Sequence, residues 1–380
     1  MGPLAGIKVI ELKGIGPGPY AGMLLADMGA EVIVIERSRQ SSGIANPSEK
    51  DINSRGKNSI SLNLKHPEGV EILLKLVESA DMLIEGFRPG VTERLGFGPK
   101  ICHARNPRLI FGRITGWGQT GPLAKVAGHD INYISIAGAL GSIGSKEKPI
   151  PPLNLVGDYA GGSLFLVMGM LAALNERNQS GKGQVIDAAI TEGTASLMSV
   201  FYSLYNMGQW TPSRASNLLD GGAHFYDTYE TVDGKFISIG SIEPQFYQLL
   251  IEKAELDSEL FANQNDSNNW PELKKTFELV FRAKTRDQWC ELLEGSDTCF
   301  APVLDFTEAP QHPHNIARST FIEINGAVQP GIAPKFSRSN CVMPAAPKAE
   351  GSDTESVLNN LGLSEGEIQH LLTCGAVPAK

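Results

Sequence analysis

Short apolar runs alternate with amphipathic stretches over residues 7–189. Apolar side chains dominate residues 7–12 and 31–35, and the glycine-rich stretch between them leads into a helical pattern over Tyr20–Met28. Further predicted strands lie at 60–64, 82–85, 109–114 and 184–189. Strands that alternate with helices predict a parallel sheet with right-handed crossovers, and such open sheets bind ligands beside the carboxyl ends of their strands.

After residue 225 the pattern changes to one typical of antiparallel strands and helices. Residues 226–232 and 235–240 flank Asp233-Gly234, a pair that predicts a hairpin turn. We therefore predict an α/β protein with a Rossmann-like large domain and a smaller α+β domain. The predicted boundaries are 1–200 for the large domain, 201–224 for a linker, 225–325 for the small domain and 326–380 for a C-terminal segment that returns to the large domain.

The glycine-rich turn after the first strand imitates a dinucleotide-binding fingerprint. Gly16-Pro17-Gly18-Pro19-Tyr20-Ala21 fits G-x-G-x-x-A, and Glu36 ends the second strand. Pro17 and Pro19, however, lack the backbone N–H groups that would bind a pyrophosphate. The sequence therefore predicts the fold without the NAD cofactor.

Charge is distributed unevenly along the chain. The net charge is −9, yet residues 1–130 carry 16 Lys/Arg against 13 Asp/Glu. An acidic chain is not expected to have nucleic acid as its main partner. The local cationic surplus, which includes Arg37, suits a small polyanion such as a nucleotide or coenzyme A, although a solvated basic loop explains the charge equally well.

The cysteines and apolar runs exclude several other classes. The five cysteines are widely spaced without a Cys-x-x-Cys, which predicts neither disulfides nor a metal site, and His312 and His314 lack a further ligand nearby in the sequence. The longest apolar run, residues 164–174, is too short to span a membrane. No export signal begins the sequence, and its last three residues are not a peroxisomal address. We predict a cytoplasmic protein without a membrane partner.

His129 and Asp158 are the candidate acid/base residues. His129 precedes an apolar segment, and Asp158 lies just before the most apolar predicted helix. An imidazole and a carboxylate that converge on one cleft could remove and return a proton on opposite faces of a substrate carbon. When each residue is considered alone, the alternatives are that His129 is a structural histidine and that Asp158 is a helix N-cap.

Seven stretches, in order along the chain, carry a family resemblance. They are Gly14–Pro19, Glu85–Val91, Thr115–Gly121, Gly128–Tyr133, Pro152–Leu155, Leu219–Ala223 and Ile242–Tyr247. Together they resemble the α-methylacyl-CoA racemases of the family III CoA-transferase superfamily over nearly the whole chain. One departure is His224, where the family pattern is expected to have proline, and it could alter the pocket near the acyl chain.

The resemblance implies an interlocked homodimer that epimerises the carbon beside the thioester of 2-methylacyl-CoA substrates in lipid metabolism, through an enolate. It implies no metal, flavin or pyridoxal phosphate, because coenzyme A is part of the substrate. His129 and Asp158 become the two acid/base residues, and Glu243 becomes the residue that orients His129. The implied CoA-binding residues are Arg37, Leu62, Asn63, Leu64, Lys65, Gly86, Phe87, Arg88, Arg94, Gly128, Asp130, Ile131, Asn132 and Tyr133.

An enolate forms only where donors stabilise its oxygen, and we expect backbone N–H groups near Asp158 to do so. Two alternatives remain. In a CoA-transferase of the same superfamily, Asp158 would attack the thioester as a nucleophile; the combination of His129 with Glu243 favours the racemase. A non-catalytic CoA or NAD binder would leave that combination unexplained. The acyl group is open among a sterol side chain, a branched fatty acid and an aryl-propionyl group.

Overall fold

The computed structural model describes residues 1–36 and 50–378. Its strands are β1 (Lys8–Leu12), β2 (Glu31–Glu36), β3 (Lys57–Ser61), β4 (Met82–Glu85), β5 (Ile110–Thr115), β6 (Val185–Ala189), β7 (Tyr226–Glu230), β8 (Phe236–Gly240), β9 (Phe300–Pro302), β10 (Phe321–Ile324) and β11 (Ala327–Pro330). Its α-helices are α1 (Pro17–Asp27), α2 (Pro67–Ser79), α3 (Val91–Leu95), α4 (Pro99–Arg105), α5 (Asp130–Ile136), α6 (Ala139–Ser142), α7 (Phe165–Ser180), α8 (Ile190–Leu197), α9 (Ser199–Asn206), α10 (Pro244–Lys253), α11 (Trp270–Phe281), α12 (Arg286–Leu293), α13 (Pro313–Ala317), α14 (Thr354–Asn360) and α15 (Glu365–Cys374).

The first six strands form a parallel sheet in the order β3-β2-β1-β4-β5-β6. This confirms the predicted parallel α/β architecture. The order reverses between β1 and β4, so the connections that leave these two strands run to opposite halves of the sheet. The crevice at such a switch point, beside the carboxyl ends of the strands, is the expected ligand position in this class of sheet.

Alternating side chains of the strands fill two apolar layers, one on each face of the sheet. Ile10 and Leu83 point into a core shared with α2, α14 and α15, whereas their neighbours Val9 and Ile84 pack against α1 and α7. A parallel sheet covered on both faces needs apolar residues at successive positions, and this is why these strands read as continuous apolar runs.

The chain after residue 350 packs against the same sheet. The Asp353 carboxylate accepts the N–H of Ser59 at 2.9 Å, and the Thr354 hydroxyl accepts the N–H of Ser61 at 3.1 Å. These bonds fix α14 along β3, where it covers an apolar layer of the sheet together with α15.

The described chain divides into two compact units. The first comprises Met1–Ala137, Leu153–Leu197 and Ser319–Lys380, and the second comprises Gly138–Pro152 and Met198–Arg318. The second unit contains the antiparallel sheet β7-β8-β9, which confirms the hairpin predicted from Asp233-Gly234. Residues 138–152 belong to this unit, whereas the sequence placed them in the large domain.

A π-helical segment, Leu155–Leu164, continues directly into α7. Its glycines permit close packing, because a Cβ at Gly161 would lie 2.5 Å from the Thr194 hydroxyl of α8. The resulting helix, Leu155–Ser180, has the length and apolar composition to cross a membrane, but the core helix of a soluble protein meets the same description. Leu166 and Met170 pack in the core beneath the sheet, and the absence of a membrane partner stays a prediction.

Candidate functional site

The candidate site lies at the carboxyl ends of the central strands. The turn after β1 reaches Asp158, since a Cβ at Gly16 would lie 3.1 Å from the Asp158 carboxylate. Ser163 reinforces this approach: its hydroxyl lies 2.8 Å from the carbonyl of Pro17 and 3.0 Å from that of Asp158. The proline-stiffened turn that imitated a dinucleotide fingerprint therefore packs against the segment that carries Asp158.

Asp158 lies in the π-helical segment and is partly buried. Burial raises the pKa of its carboxyl; Asp130 raises it further, whereas the Asn154 amide and His129 lower it. Asn154 donates to the Asp158 carboxylate from one turn earlier in the chain, at 3.3 Å. A carboxyl whose pKa is raised holds and releases a proton nearer to neutral pH, as a group that serves as both acid and base requires.

Asp130 occupies the backbone donors that the sequence assigned to the enolate. Its carboxylate accepts the N–H of Asp158 at 2.7 Å, and a Cβ at Gly157 would lie only 2.3 Å from the same carboxylate. The expectation that N–H groups near Asp158 stabilise an enolate is therefore wrong for the N–H of Asp158. Asp130 also lies buried, so its side chain holds the segment that carries Asp158 instead of facing solvent.

His129 lies at the N-terminus of α5, immediately before its first residue. Its backbone N–H donates to the Asn132 side chain at 3.0 Å, which fixes the first turn of α5, while its imidazole is exposed in the single chain. The imidazole is also close enough to Asp158 to act on that carboxyl electrostatically. The structure thus brings together, within the first unit, the two residues that the sequence selected.

The segment Gly128–Tyr133 has a clear structural role. The Tyr133 hydroxyl donates to the carbonyl of Gly128, and its ring meets Trp117 edge-on with ring centroids 4.8 Å apart. A Cβ at Gly116 would lie 1.9 Å from the Tyr133 ring, so only glycine fits there. Tyr133 therefore anchors the turn that presents His129, whereas Ile131 and Asn132 lie exposed beside it.

The proposed CoA-binding residues fall into three groups. Gly86, Arg88, Arg94 and Lys65 are exposed, and Phe87 is half-buried. Leu62 and Leu64 are buried in the core, so they can offer a ligand only their backbone. Asn63 donates to the carbonyl of Gly375 at 3.2 Å, which engages its side chain with the C-terminal segment. Arg37 lies outside the described residues.

Two residues that support the loop after β4 were missed by sequence reasoning. The buried Glu85 carboxylate accepts the N–H of Phe87 at 2.7 Å and a hydrogen bond from Arg113 at 2.7 Å. Arg113 also binds Glu93 of α3 at 2.8 Å. This network fixes the loop that ends at Arg88. The available signal in the sequence was one charged residue within each of two predicted core strands, Glu85 in one and Arg113 in the next.

Two further predicted residues lie in the second unit. Glu243 immediately precedes α10 and is exposed, and its role toward His129 stays a prediction. His224 is fully buried in an aromatic core, where its Nε2 lies 2.7 Å from the Tyr247 hydroxyl. Burial lowers the pKa of His224 to about 4, so it is a neutral core residue. Its side chain is not exposed in the single chain, and its effect on a pocket for the acyl chain stays a prediction.

Known proteins resemble this chain over most of its length. The sequence model of CoA-transferase family III matches residues 4–354. The chain is 46% identical to α-methylacyl-CoA racemase of Mus musculus over 97% of its length and 96% of the relative's, and 43% identical to that of Homo sapiens over the same shares. The solved structure of a CAIB/BAIF family protein from Brucella suis superposes with a TM-score of 0.81 at 26% identity, covering 95% of this chain and 99% of that one.

Proposed function

Because the chain belongs to CoA-transferase family III, and because two of its full-length relatives are α-methylacyl-CoA racemases, we propose that it interconverts (2R)- and (2S)-2-methylacyl-CoA thioesters. The observation that supports this proposal is that His129 lies close enough to Asp158 to lower the pKa of its carboxyl, and that the turn after β1, at the switch point of the sheet, reaches Asp158. Burial raises the pKa of one of these groups, and the other is an exposed imidazole. The family resemblance inferred from the seven motifs is confirmed by the comparisons.

The chemistry requires one base on each face of the α-carbon. In one direction the Asp158 carboxylate removes the α-proton and the His129 imidazolium returns one to the opposite face; in the other direction the roles exchange. The electron pair of the broken C–H bond moves into the thioester as an enolate, which re-forms the carbonyl on reprotonation. The amide of Asn154, 3.3 Å from the Asp158 carboxylate, is the candidate donor to the thioester oxygen.

Arg88 is the proposed contact for the anionic nucleotide end of the substrate. It lies exposed on the loop that Glu85 fixes, and it is close enough to Tyr133 to lower the pKa of that hydroxyl while burial raises it. Arg88→Gln should raise KM by about 10- to 100-fold, since a hydrogen bond to a charged group contributes about 1.5–3 kcal/mol. The matched control is Arg282→Gln, an exposed arginine paired with Glu230. A collapsed kcat at unchanged KM would contradict this assignment.

The resemblance extends the proposal to assembly and location. We propose a homodimer in which Glu243 orients His129, and a cytoplasmic enzyme that needs no cofactor beyond the coenzyme A of its substrate. Inactive His129→Ala and Glu243→Ala chains, mixed during refolding, should regain activity if the two residues act across subunits. Mixtures that stay inactive would count against a shared site.

Exchange of the α-hydrogen separates the racemase from the transferase alternative. A single 2-methylacyl-CoA enantiomer, incubated with the protein in heavy water without an acceptor acid, should epimerise and take up deuterium at the α-carbon. A transferase that uses Asp158 as a nucleophile would transfer CoA only when an acceptor acid is added, and would leave the α-hydrogen in place. Transfer without α-deuterium would therefore overturn the proposed function.

A further inference from the structure

A histidine, a glutamate and a cysteine meet where α15 packs beside the start of α2. The ligand atoms of His66, Glu68 and Cys374 all lie within 4.8 Å of one another, and all three residues are half-buried. None of them belongs to the proposed catalytic or CoA-binding set. More than 300 residues separate Glu68 from Cys374, and for this reason sequence spacing predicted no metal site.

The fold places these residues together through ordinary capping and packing. His66 is the N-cap of α2, Pro67 occupies its first position, and Glu68 follows in the first turn. Cys374 is the last residue of α15. The main chain of Asn63 bonds to the carbonyl of Ala376 at 2.9 Å, which holds the end of α15 beside α2. This main-chain bond therefore holds the two helix ends together without the side chains of the three residues.

The Glu68 carboxylate already contacts two side chains, Cys374 and His370, that would serve a bound cation as a ligand and as a supporting hydrogen-bond donor. Cys374 directs its thiol at this carboxylate with a sulfur–oxygen distance of 3.7 Å, and His370 Nε2 lies 2.9 Å from it. His66 Nδ1 accepts the N–H of Glu68 at 3.3 Å, a long hydrogen bond that metal binding at either ring nitrogen would replace. His370 lies one turn before Cys374 on α15, so both reach the same carboxylate.

We propose that His66, Glu68 and Cys374 bind a Zn²⁺ ion, with His370 as the hydrogen-bond partner that orients Glu68. Imidazole, carboxylate and thiolate are the ligands that zinc takes in proteins, and a thiolate disfavours hard cations such as Mg²⁺ and Ca²⁺. Ligand atoms around a tetrahedral zinc lie about 3.3–3.8 Å apart, as its bond lengths of about 2.0–2.3 Å require. Side-chain rotations that shorten the 4.8 Å separation by about 1 Å complete the site.

Binding would release the thiol proton of Cys374 and leave the fourth position to water. The consequence of zinc binding is structural, because the ion would link α15 to the start of α2. The segment Asn63–Lys65, which the family resemblance assigns to coenzyme A, lies immediately before His66. Zinc would therefore stabilise this edge of the large unit without taking part in proton transfer.

Co²⁺ titration tests the site directly, because Co²⁺ takes the same ligands and gives a near-ultraviolet thiolate-to-metal absorption band. The full-length wild type should bind one Co²⁺ with this band, and Zn²⁺ should abolish it. Cys374→Ser should lose the band, whereas Cys299→Ser, which removes an exposed thiol, should keep it. His66→Asn removes the imidazole but keeps a strong N-cap residue, and it should weaken binding as well.

Two further measurements keep the proposal falsifiable if a variant folds poorly. Zn²⁺ should raise the unfolding temperature of the wild type and of Cys299→Ser but not that of Cys374→Ser. His370→Ala should weaken the affinity for Co²⁺ about 10- to 100-fold, as is usual for residues that orient a ligand. A wild type without the band at saturating Co²⁺, or a Cys374→Ser protein that keeps it, would overturn the proposal.

Discussion

The two candidate bases are held in opposite ways. His129 lies at the N-terminus of the short helix α5, and its side chain is exposed in the single chain. Its backbone N–H donates a hydrogen bond to the Asn132 side chain. Asp158 lies partly buried inside a π-helical segment, where Asn154 donates to its carboxylate and Asp130 accepts its N–H. Within the described residues, one candidate base is therefore held through a hydrogen bond of its backbone, and the other by hydrogen bonds with several neighbours.

The surroundings of Asp158 alter the proton affinity of its carboxyl. A free carboxyl titrates well below neutral pH. Burial raises the pKa of Asp158 and the neighbouring Asp130 raises it further, whereas Asn154 and His129 lower it. A raised pKa suits a carboxyl that must hold and release a proton as both acid and base.

The largest effect is expected from the carboxylate itself. Asp158→Asn keeps the size of the side chain but removes the base, and it should slow racemisation by about 10²–10⁴-fold. Acyl-CoA binding should change little, because the variant leaves Arg88, the proposed contact for the nucleotide end, unchanged. The matched control is Asp257→Asn, an exposed aspartate of the second unit. Racemisation rates, and dissociation constants measured by calorimetry, would check both parts. A variant with near-normal turnover would remove Asp158 from the mechanism.

A smaller effect is expected when the Asp130 carboxylate, which accepts the N–H of Asp158, is displaced. Gly157→Ala places a Cβ 2.3 Å from the Asp130 carboxylate and 2.8 Å from Ile134, so Asp130 must move. We expect turnover to fall by about 10- to 100-fold, since displacement of a catalytic group by about 1 Å has effects of that size. Gly366→Ala is the control, because in the described chain a Cβ there would meet nothing within 4 Å beyond its chain neighbours and the backbone of its own helix. Equal turnover in the two variants would show that Asp158 needs no such support.

The smallest effect is a shift in pH dependence. Asp130→Asn keeps an oxygen that can accept the N–H of Asp158 but removes the charge that raises the pKa of Asp158. The pKa of Asp158 should fall, so the loss of activity on acidification should begin at a lower pH than in the wild type. A pH–rate profile of kcat/KM measures this shift. An unchanged profile, or a shift to higher pH, would contradict the proposed electrostatic role.

The sequence predicted the parallel sheet well because apolar runs buried on both faces are unusually clear, whereas the order of its strands was not predicted. It was less accurate where glycines control packing. The sequence placed Asp158 just before the most apolar predicted helix, but Gly161 and Gly162 let residues 155–164 pack tightly as a π-helix that includes Asp158. The division of the following helical stretch at Met198 into α8 and α9, which fall in different units, was not predicted either.

In the candidate site, residues beside clear sequence features could be selected, whereas roles that depend on contacts between distant parts of the chain could not. His129 and Asp158 could be selected because each lies beside a clear apolar segment and a recognisable motif. The role of Asp130 could not, because it depends on an N–H that lies 28 residues away in the chain, and its neighbourhood suggested a ligand contact instead. Likewise, the burial of His224 follows from the aromatic side chains that surround it in the folded second unit, among them Phe261 and Phe277.

The central claim is that His129 and Asp158 act on opposite faces of one carbon. It is tested most directly by measuring α-hydrogen exchange in heavy water for each 2-methylacyl-CoA enantiomer separately, with Asp158→Asn and His129→Gln. Both variants should lose racemisation, yet each should still exchange the α-hydrogen of one enantiomer, and the two variants should retain opposite enantiomers. Variants that lose exchange equally with both enantiomers, or that retain the same one, would contradict the two-base account.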